Sequence, residues 1–204
     1  MAGCAGIRLH QAAGLDAAWA ALRQHWPAAA GPPPYGALAW PGARALARYL
    51  TARPEVVRGR RVLELGCGGA LAALAAARAG ASRVLALDID PLAGRVAAAN
   101  AAANDLPFET RGCDALAQPA EPVWDVVLAA DLWYERFLAP RATAWLQGCA
   151  ARGARVLIGD VGRAFSPRRG LELLQCVELT DSHGTERGER LLARVSALGP
   201  GVRV

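Results

Sequence analysis

Residues 61–90, RVLELGCGGALAALAAARAGASRVLALDID, constrain the fold more than any other stretch of the chain. Arg61 to Leu65 have the apolar character of a short buried strand, and Gly66, Gly68 and Gly69 stop it. Ala70 to Ala79 are almost all Ala and Leu, the strongest helix formers, and Gly80 stands where a left-handed C-cap residue is expected. A second apolar strand, Val84 to Leu87, ends on Asp88. Strand, glycine turn, helix, strand and acid together make one βαβ nucleotide-binding unit of an α/β protein.

Each part has a chemical use. Glycines let the backbone approach a ligand where a Cβ would collide, and the N–H groups at a helix start favour an electron-rich group. Asp88, 22 residues after Gly66, is placed to accept both hydroxyls of a ribose. A dinucleotide fingerprint would carry a third glycine where this chain has Leu71, and Glu64 lies two places before the first glycine. A carboxylate there repels a pyrophosphate and suits a cationic ligand such as S-adenosylmethionine, which has a sulfonium, an ammonium and no phosphate. E-L-G-C-G-G followed by L-D-I-D resembles the class I methyltransferase motifs; the competing reading is a nicotinamide-type unit with a degenerate loop. Candidate cofactor residues are therefore Glu64, Gly66, Cys67, Gly68, Asp88 and Ile89. Cys67 is expected to fill space beside the cofactor, not to act as a nucleophile.

The 204 residues fit one α/β unit: 1–54 as a helical extension and cofactor-covering segment, and 55–204 as the binding domain. No run reaches the 18 or so apolar residues a membrane span needs, and no signal-peptide pattern opens the chain. A cytoplasmic protein is expected if the chain is bacterial, and a mitochondrial one if it is eukaryotic. Five cysteines without a C-x-x-C and three histidines assemble neither a disulfide framework nor a zinc site. Every basic residue is Arg, with no Lys anywhere, and the net charge is +5. The arginines are scattered without interleaved aromatics, so nucleic acid is not the expected partner.

Leu15, Ala18, Trp19 and Leu22 recur at helical spacing and predict an amphipathic helix across the domain, ended by Pro27. Residues 31–42, with three prolines between glycines, predict an extended crossing, and 43–53 a helix. Trp40, in that crossing, is either core filler or cover for the cofactor. Past Pro91 comes a helix whose Asn100 and Asn104 share one face, where solvation alone could account for them. Residues 108–113 read as a third strand followed by Asp114, either a turn residue or the partner of an adenine amino group. WDVVLAAD, residues 124–131, is a fourth strand, then a helix runs to about Ala150, then the strand ARVLIGD. SPRRGLELLQC reads as a last helix, with VELTDS and ERLLARVSAL as a terminal hairpin across HGTERG.

In an open parallel sheet the ligand lies outside the carboxyl ends of the strands, at the switch between the first and fourth. Ala130 and Asp131 end the fourth strand there, and Asp131, Trp133 and Tyr134 are the candidate catalytic residues. An acid with aromatic faces suits a protonated lysine, whose ordinary pKa is about 10.4. Asp131 as a cap of the following helix, with Trp133 as core, is the plainer alternative. Amide and adenine N-methyltransferases carry N-P-P-Y at this place; D-L-W-Y disfavours a planar amide acceptor.

PPPYGALAWPGARALARYL, LELGCGGA, GASRVLALDIDPLAGRVAAANAAAN, ADLWYERFLA and VLIGDVGR, in this order, resemble the electron transfer flavoprotein β-subunit lysine methyltransferases. These are seven-β-strand protein lysine methyltransferases with a D-x-x-Y motif. The resemblance implies a Rossmann-like class I methyltransferase fold, with a mostly parallel seven-stranded sheet in the order 3-2-1-4-5-7-6 and helices on both faces. It implies S-adenosylmethionine as cofactor, Glu64, Gly66, Gly68, Asp88 and Ala130 at its border, Asp131 and Tyr134 as the D-x-x-Y pair, and the flavoprotein β subunit as partner of a monomeric enzyme. Methylation of another protein, such as a ribosomal one, or of a small molecule stays open, as does a non-catalytic cofactor-binding module.

Overall fold

β-branched and leucine residues without polar interruption can sit only where both sheet faces are covered. In the computed structural model, which describes residues 6–26, 31–119, 121, 123–180 and 188–200, such runs occupy the sheet centre. The elements are α1 (Leu15–His25), α2 (Pro41–Ala52), β1 (Arg61–Leu65), α3 (Leu71–Arg78), β2 (Arg83–Asp88), α4 (Pro91–Ala103), β3 (Glu109–Gly112), β4 (Val126–Ala130), α5 (Leu138–Ala151), β5 (Arg155–Asp160), β6 (Leu171–Thr180) and β7 (Arg190–Leu198). The seven strands form one sheet in the expected order β3-β2-β1-β4-β5-β7-β6. β1 to β5 pair in parallel, and β7 runs antiparallel to both β5 and β6.

Alternation along the central strands divides the core into two layers. Val62 and Leu128 pack with Leu46 and Leu50 of α2 and Leu74 of α3, whereas Leu63 and Val127 pack with Trp133 and with Leu146 of α5. α2 lies unusually close to the sheet. A Cβ on Gly42 would collide with the Gly159 carbonyl, and one on Gly159 with the Gly42 carbonyl, so glycine at both places lets the helix start touch β5.

Three expectations are corrected. The stretch 166–176 is not a helix, because Leu171 onward pairs with β7 and the hairpin takes in residues whose local pattern is helical. The crossing at 31–42 is not extended throughout: Tyr35–Ala37 make a 3-10 turn, and α2 begins at Pro41, whose fixed φ and missing N–H suit a first helical position. Asn100 and Asn104 are not solvated but buried. The expected face of α1 is the half-buried one, resting near the 35–37 turn, although no residue of that helix is fully buried. Pro27 and most of the loop joining β6 to β7 lie outside the described residues.

Candidate functional site

The glycine turn after β1 is built by two acids that hold backbone N–H groups. Glu64, 1% exposed, accepts from the Ala73 N–H at 2.8 Å and so supplies the helix cap that Ala70 cannot. Burial pushes its carboxyl up to about 8, against the pull of the Ala73 N–H. Asp88 accepts from Gly68 N–H at 2.8 Å and Asp90 N–H at 2.9 Å, and burial raises it too. Glu64, Gly66, Cys67, Gly68, Trp40 and Ala130 line one cavity of about 40 Å³. The Cys67 thiol is pushed up by burial, which keeps it protonated and inert. Ile89, beside Asp88, is 69% exposed and is not part of the cavity lining. Asp114 is engaged elsewhere: it accepts from Leu116 N–H at 3.0 Å and pairs with Arg141 at 3.2 Å.

Leu9 to Gln11 and the 36–40 segment roof this cavity. Asn100 holds the roof at both ends, accepting from His10 N–H at 2.6 Å and donating to the Gly69 carbonyl at 2.9 Å. Asn104 binds both the Arg8 N–H and carbonyl, at 2.8 and 2.7 Å.

At the end of β4, Asp131 is 6% exposed and has φ +52°, a left-handed conformation that side chains rarely adopt. Its Oδ2 accepts from the Gly42 N–H at 2.6 Å, and its Oδ1 is 3.5 Å from Arg163. Burial pushes this carboxyl up to about 6, and Arg163 pulls it back down. Asp131 therefore caps α2, not the helix after it; Glu135 takes that place, accepting from Phe137 and Leu138 N–H at 2.8 and 2.7 Å. Trp133 is corrected outright. It is wholly buried, donates to Thr143 at 2.9 Å and belongs to the core layer over α5, so no acceptor reaches its ring. Tyr134 is 48% exposed and lies against Tyr35, with ring centroids 5.6 Å apart, and Tyr35 is 6.1 Å from Trp40. Tyr134, Tyr35 and Trp40 thus form an open aromatic row, and Arg163, over the Trp40 ring, reaches Asp131 at the end of β4.

The family model for ribosomal protein L11 methyltransferase (PrmA) matches residues 45–132. The electron transfer flavoprotein beta subunit lysine methyltransferase of Danio rerio is 42% identical over 169 residues, 80% of this chain and 64% of that protein. That of Homo sapiens is 46% identical over 132 residues, 64% and 50% of the two chains. This chain is similar to the electron transfer flavoprotein β-subunit lysine methyltransferases. It spans less than two thirds of the length of these relatives. The magnesium protoporphyrin IX methyltransferase of Synechocystis superposes with TM-score 0.56 at 17% identity, covering 77% of this chain and 78% of that one. TrmN from Thermus thermophilus gives 0.54 at 24%, covering 87% and 53%. The fold is that of the class I methyltransferases.

Sequence reading missed Asn100, Tyr35, Asp160 and Arg163 at this site. Asn100 had a signal, as a polar residue inside an alanine helix; Asp160 and Arg163 lie in the block VLIGDVGR, and the expected strand order sets β5 beside β4, but nothing in the block itself marks these two residues for the site. Among the described residues no His, Cys, Asp and Glu cluster could hold a metal, and no helix is long and apolar enough to cross a membrane.

Proposed function

We propose that this protein is an S-adenosylmethionine-dependent protein-lysine N-methyltransferase acting on the β subunit of electron transfer flavoprotein. The observation that carries the reading is the placement of Asp131: a buried acid at the end of β4, adjoining the glycine-loop cavity through Ala130 and linked through Arg163 to the Trp40 ring that lines the same cavity. The names of the relatives support the substrate.

The residues present fit the cofactor. Glu64, the buried acid on the cavity wall, would face its ammonium, Asp88 its ribose hydroxyls and Ile89 its base, and the cavity lining among the described residues carries no arginine for a phosphate. When bound, S-adenosylmethionine supplies a sulfonium methyl group open to attack by a neutral amine. Asp131 and the Trp40 ring would hold the incoming ammonium and orient the amine once its proton has left to solvent. Positioning then supplies most of the rate.

Purified protein incubated with labelled cofactor and recombinant electron transfer flavoprotein tests this by intact mass and peptide mapping. Methyl masses on β-subunit lysines are the expected result. Label on a ribosomal protein instead would keep the chemistry and replace the substrate, an outcome the family match over residues 45–132 makes worth measuring. Cofactor binding with no label on any protein would sink the reading.

A further inference from the structure

Arg163 sits where an acceptor cation is wanted, and it is held there weakly. Its guanidinium lies 5.6 Å from the Trp40 ring and only 3.5 Å from Asp131 Oδ1 at its nearest, longer than an ordinary charge-assisted hydrogen bond. Its Nε is buried and, among the described residues, has no hydrogen-bond partner. A structural arginine in such a place normally fills its five-donor fork. Next to it, Asp160 is 7% exposed, and its Oδ2 is likewise buried and unpartnered among the described residues. The other oxygen, Oδ1, is fully used: it accepts from the Gly162 N–H at 2.5 Å, the Arg163 N–H at 2.9 Å and the Ser166 hydroxyl at 2.7 Å. These bonds fix the backbone of the turn, so the Arg163 side chain can leave without the turn moving.

The site thus holds two buried acids on adjacent strand ends, one aromatic face and one loosely tied cation. We propose that Arg163 is an internal occupant of the acceptor-lysine site, seated between Asp131 and the Trp40 ring, and that the substrate ammonium displaces it. The inference rests on the lysine-transfer reading above. Its chemistry is consistent: two carboxylates this buried need a counter-cation whenever substrate is absent. A guanidinium provides one that keeps its proton and offers no amine lone pair, so the enzyme does not methylate its own placeholder.

The chain has no lysine, which makes the test clean. Arg163→Lys introduces a single side-chain amine at the proposed acceptor position. Incubated with S-adenosylmethionine and no other protein, this variant is expected to gain methyl mass at position 163. In that step the neutral Nζ of the introduced side chain forms a bond to the methyl carbon, the carbon–sulfur bond breaks, sulfur keeps the pair as a thioether, and the amine proton goes to solvent. Arg163→Met, with the cation removed, is expected to bind n-butylammonium without any cofactor. Its melting temperature should rise by about 2–4 °C at a probe concentration a few times the Kd, relative to sodium chloride at equal strength, while wild type, in which Arg163 competes for the place, should rise less.

Absence of either effect in folded protein overturns the proposal. So does failure of both variants to fold, because a group that departs on every turnover cannot be one the fold depends on. Wild type assayed in parallel on the flavoprotein and on a lysate separates the two ideas. If it modifies no lysine while Arg163→Met still responds to the probe, lysine transfer is what has failed, and the acceptor role of the site goes with it.

Discussion

Glu64 and Asp131 are both buried carboxylates on the carboxyl side of the sheet, and burial raises both, but the proposed function gives them different ligands. Glu64 is raised from its ordinary 4.5 to about 8, so between those values the folded chain keeps a proton that the unfolded chain has released. Stability of the cofactor-free protein therefore falls as pH rises through that window, and Glu64→Gln is expected to remove this slope in urea unfolding at several pH values. A cation bound against Glu64 favours its ionised form, so cofactor affinity should increase from about pH 6 to 8 with proton release, read by calorimetry in buffers of different ionisation enthalpy. Asp131→Asn keeps an oxygen for the Gly42 N–H but loses the charge. Folding and cofactor binding should survive while kcat/KM for the protein substrate drops on the order of 10²-fold. Asp131→Ala would confuse the two roles, since it also uncaps α2, at a cost of about 1 kcal/mol.

α2 links the site to the sheet. Its first turn is held by Asp131, its second residue presses on Gly159, and Trp40 just before it lines the cavity. Gly159→Ala drives a methyl group into the Gly42 carbonyl and the Leu46 side chain. We expect a loss of about 1–3 kcal/mol in chemical denaturation, together with weaker cofactor binding as Trp40 shifts with the helix. α4 has a corresponding part on the other side, where Asn100 and Asn104 bind the chain at residues 8–10 and so close the cavity roof.

For the molecule as a whole, the net charge of +5 favours an acidic surface around the target lysine. Raising salt from about 50 to 300 mM should then raise KM for the protein substrate and leave kcat nearly unchanged, because screening acts on docking and hardly reaches the buried acids. The β1–α3–β2 unit and the strands around it were legible in the chain itself: glycine spacing, apolar runs and strand-end acids are local signals, and they sufficed for the βαβ core, with the family resemblance supplying the full strand order. The first part of β6, from Leu171 to Cys176, was misread because its helical pattern is overridden by pairing with β7, a partner whose choice no local window contains, whereas the hairpin from Val177 onward was read correctly. Trp133 and Tyr134 are adjacent in D-L-W-Y, yet one is wholly buried and the other half open, a difference set by which way the chain turns after Asp131. The sequence by itself determined the nucleoside-binding unit and the acid at the end of β4, because both depend on residues close together along the chain. Only the tertiary structure decided what that acid touches. Gly42 lies 89 residues from Asp131 and Arg163 lies 32, and sheet order together with the Gly42–Gly159 contact brings all of them to one point.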